Sequence, residues 1–296
     1  MSNRRRLRTA PKNDGQRVPL MNENKSGIEG QHTDHSQRAT LAPLALWVLY
    51  IVLAIAVAAF LAVLLPGPLY RIRVLSLTSA FRSIKYGAYG GIVAVILGVI
   101  LLPVVWSARG RALRFIGPIL AIVLGAIAWG VPYLWLRKAE SVPPIHDITT
   151  DTRNPPLFLP DVVALRAAAH ASNSTVYGGA RVAALQRKAY PDIRPMLFGL
   201  PAAQVFAGAL RAVKAMGWKL DSEYPSLGII EASSTTLWFG FTDDIVIRIE
   251  PLSVGSRLDI RSESRIGGSD IGRNAARILR FRTVLYRTLG LPAPGR

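Results

Sequence analysis

The sequence predicts an α-helical membrane anchor of three transmembrane helices, followed by a C-terminal α+β domain with an antiparallel sheet and two main helices. Half of the 296 residues are apolar, and the mean hydropathy is positive, which is high for a soluble protein of this length. The first half holds three long uncharged stretches. Beyond residue 200, apolar residues instead follow the periods of amphipathic helices and strands.

The uncharged stretches cover about 44–65, 88–106 and 115–136. Each has the roughly 20 residues that a helix needs to cross a bilayer. Aromatic residues lie near their ends, where amphipathic rings favour the headgroup level. We therefore predict three transmembrane helices within residues 44–138. Because no Asp, Glu, Lys, Arg or His lies inside a span, an anchor is favoured over a self-sufficient transporter.

Residues 1–43 form a polar, basic segment that we expect to be disordered. It holds eight Lys and Arg residues, and the loop between the second and third spans adds Arg109, Arg111 and Arg114. If both lie inside, the cytoplasmic side carries 11 basic residues and the opposite side carries 6. The positive-inside rule then predicts a cytoplasmic N-terminus and an extracytoplasmic C-terminal domain.

Composition excludes several classes of function. The chain has no cysteine, so thiol nucleophiles, disulfide frameworks and cysteine-ligated metals are absent. The net charge of +18 is concentrated in residues 1–138, which hold 17 basic and 4 acidic residues. The remainder holds 19 and 14, a modest excess that does not favour nucleic-acid binding.

The first loop and the glycines of the spans allow two interpretations each. Gly87 and Gly91 are spaced for close helix packing, which we favour over homodimerisation. Between the first two spans, apolar residues from Tyr70 to Ile84 recur at helical spacing. They suit a short helix in the membrane interface or, equally, a polar hairpin loop.

We predict an extended linker over residues 139–160 and a soluble α+β domain over 161–296. A short helix is expected from Pro160 to Ala171, a second over 201–216 and a last one over 270–289. The predicted strands are 218–220, 229–234, 244–250 and 257–261. Ile245, Ile247 and Ile249 alternate with polar or smaller neighbours, as a sheet with one buried face requires.

Three separated segments carry a family resemblance: residues 145–151 (IHDITTD), 241–249 (FTDDIVIRI) and 264–278 (SRIGGSDIGRNAARI). In this order they resemble the bacterial domain-of-unknown-function family numbered fourteen-ninety-nine, over roughly residues 142–289. The resemblance implies a bacterial, often membrane-anchored protein. It implies no activity, since none is established for the family, and residues 161–190 carry no part of it.

The best candidates for chemistry are His146, Asp147, Asp151, Asp243 and Asp244. A histidine among carboxylates could move protons or bind a divalent metal, although a metal site needs three or four converging ligands. We favour structural roles for them. The first two aspartates after His146 would cap turns through the backbone, and the later pair would form a turn before a strand.

A second candidate is an anion or ligand site at Gly267, Gly268, Ser269 and Arg273. Free backbone N–H groups at a helix start attract anions, and an arginine would add a charge-assisted contact. The alternative, which we favour, is that Ser269 or Asp270 caps the helix internally. A stripe of arginines along this last helix could face solvent, a partner's acidic surface or anionic headgroups.

These observations lead to a membrane-anchored protein of the bacterial inner membrane whose periplasmic domain binds a partner or small ligand. The partners expected are the lipid bilayer and an envelope protein or anionic lipid, with no nucleic acid; no cofactor can be named and no metal is predicted. The alternative is a membrane-tethered hydrolase or metal-dependent enzyme using His146 and nearby carboxylates. A third possibility is a subunit of a larger transport assembly.

Overall fold

The computed structural model describes residues 26–107 and 113–292. The chain divides into two compact units, residues 1–48 and 49–296. In the first unit the described residues belong to one helix, which begins at Ser26. The second unit holds the rest of that helix, the other membrane-type helices and the C-terminal domain.

Four helices form the N-terminal part: α1 (Ser26–Leu64), α2 (Pro66–Arg71), α3 (Leu77–Ser107) and α4 (Leu113–Glu140). Three of them contain stretches long and apolar enough to cross a membrane, Leu46–Leu64, Leu77–Val104 and Phe115–Glu140. This confirms the predicted set of three long apolar helices. It is compatible with a multi-pass membrane protein.

Two boundaries differ from the predicted ones. Of the segment 1–43 predicted to be disordered, residues 1–25 lie outside the described residues and 26–43 continue α1, since extending a formed helix costs less than starting one. The helix α3 begins at Leu77 and not near 88, because Ser76 caps it: the Ser76 Oγ accepts a hydrogen bond from the Ser79 N–H at 3.1 Å. The predicted interfacial helix is therefore mostly the first turns of α3. Residues 108–112 of the predicted basic loop lie outside the described residues.

The long helices pack closely through small residues. A Cβ added to Gly91 would lie 2.6 Å from the carbonyl oxygen of Gly125, and one added to Gly87 would lie 2.9 Å from Val63. Neither position has room for a larger side chain. The close packing predicted from the spacing of Gly87 and Gly91 is thus confirmed, since small residues let helix backbones approach.

The C-terminal domain has six strands and four helices among the described residues. In chain order they are β1 (Asp147–Thr149), α5 (Pro160–Ala168), α6 (Gly179–Ala189), β2 (Met196–Phe198), α7 (Ala202–Ala215), β3 (Lys219–Tyr224), β4 (Ile229–Thr235), β5 (Thr242–Pro251), β6 (Ser256–Ser264) and α8 (Arg273–Thr288). The sheet order is β1-β6-β5-β4-β3, with β2 on another part of β6. Every pairing is antiparallel, so the predicted α+β class is confirmed.

Three short elements fall where no element was predicted. The strand β1 lies inside the predicted linker and pairs with the end of β6, while α6 and β2 lie in a segment without a clear pattern. Strands of three residues are too short to show a period of two. Their partner on β6, distant in sequence, is what makes them strands.

One face of the sheet packs against α7 and α8 and forms the apolar core. Trp218 stacks on Phe281 there, with ring centroids 5.4 Å apart. The strand residues on this face are fully or almost fully buried: Ile230, Ile245, Ile247, Ile249, Leu258 and Ile260. Their alternation along β5 and β6 matches the predicted pattern.

The other face of the sheet is also buried, which differs from the prediction of one buried face. Phe158 and Val162, from the segment around α5, pack on Ile229 and Val246. Five charged side chains of this face nevertheless have almost no solvent exposure: Glu231, Asp244, Asp259, Arg261 and Glu263. Alternation of apolar and charged residues therefore does not separate a solvated face from one covered by another segment.

The β4–β5 hairpin, residues 236–241, attaches the sheet to the membrane-type helices. The indole Nε1 of Trp238 donates a hydrogen bond to the carbonyl oxygen of Leu64 at 2.9 Å. Phe239 stacks on Phe81 of α3, with centroids 5.6 Å apart. The Nη1 of Arg71 donates to the carbonyl oxygen of Leu237 at 3.0 Å. This end of the sheet thus lies beside the ends of α1 and α2 and the start of α3.

Candidate functional site

His146 lies at the wall of a cavity of about 430 Å³ between the start of β1 and the helix α6. Its backbone is fixed, because its carbonyl oxygen accepts hydrogen bonds from the Ser264 N–H at 3.0 Å and from the Asn274 Nδ2 at 2.8 Å. Its ring Nδ1 is buried and has no hydrogen-bond partner among the described residues. A buried polar atom without a partner is costly, so this nitrogen has a hydrogen-bonding capacity that the described residues do not use.

The rest of the cavity combines a few polar groups with apolar side chains. Asp147, Asn173 and the exposed Arg181 supply polar atoms, and Val182 and Leu185 of α6 supply an apolar wall. No carboxylate among the described residues lies within ion-pair distance of Arg181. Cavities of about 300–1,000 Å³ with a few converging polar groups are typical of small-molecule sites.

Asp147 does not have a free carboxylate. Arg261 of β6 donates from Nε to Oδ1 at 2.9 Å and from Nη2 to Oδ2 at 2.8 Å, a bidentate arrangement that binds carboxylates strongly. The guanidinium of Arg261 is fully buried and lies over the ring of Phe158, 5.0 Å from its centroid. Asp147 is therefore held as a partner of an arginine, where the prediction favoured a turn cap.

Asp244 belongs to the same buried charged layer. Its Oδ2 pairs with Arg166 Nη1 of α5 at 2.7 Å and its Oδ1 with Arg265 Nη2 at 2.7 Å. Glu263 connects the Asp244–Arg166 pair to the Asp147–Arg261 pair. It accepts hydrogen bonds from Arg166 at 3.2 Å and from Arg261 at 3.2 Å. A chain of ion pairs thus runs from Asp244 to Asp147 beneath α5.

Glu263, at the centre of this layer, has a strongly shifted pKa. Burial raises its pKa to about 8; the nearby charge of Asp147 adds to the rise, and Arg166 and Arg261 oppose it. The two arginines are shared with Asp147 and Asp244, so they only partly offset the effect of burial on Glu263. Burial likewise raises the pKa of Tyr177, beside Arg261, to about 12.

Asp243 lies on the opposite face of the sheet, although it is adjacent in sequence to Asp244. Both are within β5, so they do not form the turn before a strand that was favoured. Asp243 pairs with Arg277 of α8, whose Nη1 also donates to Ser262 Oγ at 3.0 Å. Because side chains alternate along a strand, the pair cannot act together at one site.

Asp151 lies in the turn after β1. Its Oδ1 accepts hydrogen bonds from the backbone N–H groups of Arg153 at 2.9 Å and Asn154 at 3.0 Å. Burial opposes ionisation here, but these hydrogen bonds and the charges of Arg257 and Arg248 bring its pKa below the usual range. This carboxylate is thus fully engaged within the fold.

The predicted anion site is divided between two places. The N–H groups at the start of α8 are occupied internally, since Asp270 accepts from Gly272 N at 2.8 Å and Asn274 N at 2.7 Å. Ser269 Oγ accepts more weakly from Ile271 N at 3.3 Å. The remaining three predicted residues separate: the Gly267 carbonyl accepts from Asn173 Nδ2, Gly268 lines the histidine cavity, and Arg273 lines a different one.

The structure thus brings His146, Asp147 and Gly268 to one cavity. The described residues contain no group of three or more His, Asp or Glu side chains placed to hold a metal ion. Sequence reasoning missed Arg166, Arg261, Glu263, Asn173 and Arg181. Arg261 was placed on the unburied face of the sheet, Glu263 lies beyond the predicted strand 257–261, and the other three lie in a segment whose pattern indicated nothing about function.

Fold and cavity together define a class: an α+β domain with a polar, histidine-walled cavity, carried on helices of membrane-spanning length. Comparison with protein families agrees with the resemblance of the sequence motifs. Residues 147–285 match the model of the family described as Protein of unknown function (DUF1499), so this part of the chain, from β1 into α8, has that family's pattern. No curated protein and no solved structure matches the chain.

Proposed function

We propose that this protein is a membrane-anchored binding protein of the bacterial inner membrane, whose extracytoplasmic domain holds a small ligand in the histidine cavity. The observation that carries the proposal is the buried Nδ1 of His146, which has no partner among the described residues and lies at the wall of a cavity of about 430 Å³. A rotation of the imidazole ring would turn this nitrogen toward the cavity, where a ligand atom would supply its missing hydrogen bond.

The chemistry of the wall indicates the class of ligand. Arg181 offers a cation without a carboxylate partner among the described residues, which favours a carboxylate or phosphate group. Val182 and Leu185 line the same cavity and favour an apolar portion. We therefore infer a small organic anion with a short apolar part.

Binding is favoured over the alternative of a hydrolase because of the state of the carboxylates. A general base or nucleophile needs a carboxylate free to accept a proton or attack. Asp147, Asp243 and Asp244 each pair with one or more arginines. Using one of them in acid–base chemistry would require breaking a buried ion pair, which is costly.

The test of the cavity uses the absence of cysteine from the chain. Ser172 lines the cavity, and the exposed Ser253 lies on the β5–β6 turn, so Ser172→Cys and the control Ser253→Cys each introduce a single thiol. The full chain in detergent micelles is treated with a thiol reagent, with hexanoate or acetate as probes. We expect hexanoate to slow labelling in Ser172→Cys only, more than acetate does, and Arg181→Ala to remove the protection. Equal labelling rates with and without hexanoate would overturn the proposal.

The placement in the membrane has its own test. In intact spheroplasts, a membrane-impermeant thiol reagent should label Ser172→Cys and leave Ser36→Cys unlabelled. Labelling of Ser36→Cys alone would invert the orientation, and the cavity would then face cytosolic metabolites.

A further inference from the structure

A second cavity, of about 300 Å³, lies on the α8 side of the sheet and is lined by three arginines of one helix face. The helix α8 contributes the three arginines, Arg273, Arg277 and Arg280. The sheet contributes Trp218, which directly precedes β3, and Ser234 of β4. We refer to this surface as the arginine groove. The residues at 273, 277 and 280 fall on one side of a helix because they are spaced by three or four.

The groove carries a net positive charge. Arg277 is buried and neutralised by Asp243. Arg273 and Arg280 are exposed, and no carboxylate among the described residues is within ion-pair distance of either. Two arginine forks therefore border a small cavity with no counter-charge of their own, an arrangement that matches a phosphate group.

The groove lies near the membrane-type helices on the sides of Arg273 and Ser234. A Cβ added to Gly272, the neighbour of Arg273, would lie 3.4 Å from Cγ1 of Val142, just beyond the end of α4. Ser234 is four residues from Trp238, which bonds to the carbonyl oxygen of Leu64. Four extended residues span at most about 13 Å, so Ser234 lies within about that distance of Trp238. Arg280 lies about 10 Å along α8 from Arg273, which gives the length of the groove along this helix.

The neighbouring end of α4 is also basic, with Arg137 and Lys138 in its last turn. Exposed apolar side chains lie on the same side of the molecule: Leu237 at the hairpin tip, 88% exposed, and Ile72 and Val74 after α2. Basic residues beside exposed apolar ones are typical of a surface that lies at lipid headgroups.

We propose that the arginine groove binds the phosphate of an anionic phospholipid headgroup from the membrane that holds α1, α3 and α4. The proposal rests on the proposed membrane anchoring and is independent of the histidine cavity. The two arginine forks bind the phosphate, and the attachment of the hairpin keeps the groove at headgroup level. The lipid then fixes how the domain faces the membrane.

The test counts lipids bound to the full chain by native mass spectrometry in detergent, titrated with phosphatidylglycerol or phosphatidylcholine. The variant Arg273→Ala/Arg280→Ala removes both free forks. The control Arg153→Ala/Arg287→Ala removes the same charge from exposed positions, of which Arg287 lies about 21 Å along α8 from Arg273. We expect the groove variant to lose about tenfold in affinity for phosphatidylglycerol, equivalent to about 1.4 kcal/mol of binding free energy. The control should lose less than half of this free energy, which is a loss of less than about threefold in affinity.

Other outcomes overturn the proposal. An equal loss in both variants would mean attraction by overall charge, and no loss in the groove variant would mean that lipid binds elsewhere. If inorganic phosphate binds in a manner sensitive to Arg273→Ala/Arg280→Ala while phosphatidylglycerol does not, the groove takes a soluble anion. The membrane anchoring has a separate readout, which is the binding of phosphatidylcholine by every variant. If the anchoring proposal is wrong, neither lipid should bind to any variant.

Discussion

The two faces of the same sheet are buried mainly by different physical means, although the apolar face also holds the ion pair of Asp243 and Arg277. On one face, Ile245, Ile247 and Ile260 pack against α7 and α8, and burial of apolar area stabilises the contact without requiring a particular geometry. On the other face, Arg261 and Glu263 from the same strand β6 are equally buried but depend on partners far away in sequence, Asp147 for Arg261 and Arg166 for Glu263. Adjacent residues of one strand therefore have opposite tolerance to change.

The two faces differ in the substitutions that they tolerate. An apolar face tolerates substitutions of similar volume, whereas a buried charge that loses its partner is left uncompensated. The charged layer also forms the back of the histidine cavity, since Asp147 belongs to both. The side of the domain with the least tolerance is thus the side that carries the candidate site.

The largest effect should come from removing the central cation of the charged layer. Arg261→Ala leaves Asp147 and Glu263 without their shared arginine, and the free energy of unfolding should fall by about 3–5 kcal/mol. Pulse proteolysis of the full chain in urea and detergent micelles measures this. The control Arg153→Ala removes an exposed arginine that forms no ion pair with any described residue and should change the free energy of unfolding by less than about 0.5 kcal/mol. A loss in Arg261→Ala as small as in this control would remove the difference between the faces.

The next effect concerns pH. The Glu263 pKa is raised by burial from 4.5 to about 8, so between these values the folded state holds a proton that the unfolded state has lost. Stability attributable to this group therefore falls as pH rises from 4.5 to 8. Glu263→Gln cannot titrate, and its stability relative to the wild type should improve steadily across this window. A constant difference between the two proteins across the window would show that Glu263 titrates normally.

Much of the apolar side could be predicted from the sequence. The apolar residues of α7 recur with the helical period of 3.6, and those of β5 recur with the strand period of 2. Such a period over several residues identifies a buried face without knowledge of its partner. The three long apolar helices were identified for the same reason. The start of α8 was placed too early, at Asp270, because Ile271 and Gly272 have positive φ and the carboxylate of Asp270 caps the helix from outside it.

The charged side could not be predicted, because its elements are defined by distant partners. Asp147 and Arg261 are 114 positions apart, and neither neighbourhood indicates that the other exists. The covering segment around α5 looked irregular, and charged residues alternating with apolar ones in β6 were taken as exposed. His146 was recognised as a candidate, but the residues that surround it in the cavity, Asn173 and Arg181, have no sequence signal of their own.

The smallest effect should come from Ile260→Val, the change adjacent to Arg261 on the opposite face. Ile260 is fully buried in the apolar core, and deleting one methyl group there should lower the free energy of unfolding by about 1 kcal/mol, since such substitutions cost about 0.5–1.5 kcal/mol. The same proteolysis assay measures it, and because the variant changes no titrating group, its loss should be the same at pH 4.5 and 8. A loss equal to that of Arg261→Ala would mean that β6 as a whole is intolerant. The difference between the faces would then come from the strand's central position in the sheet and not from the means by which each face is buried.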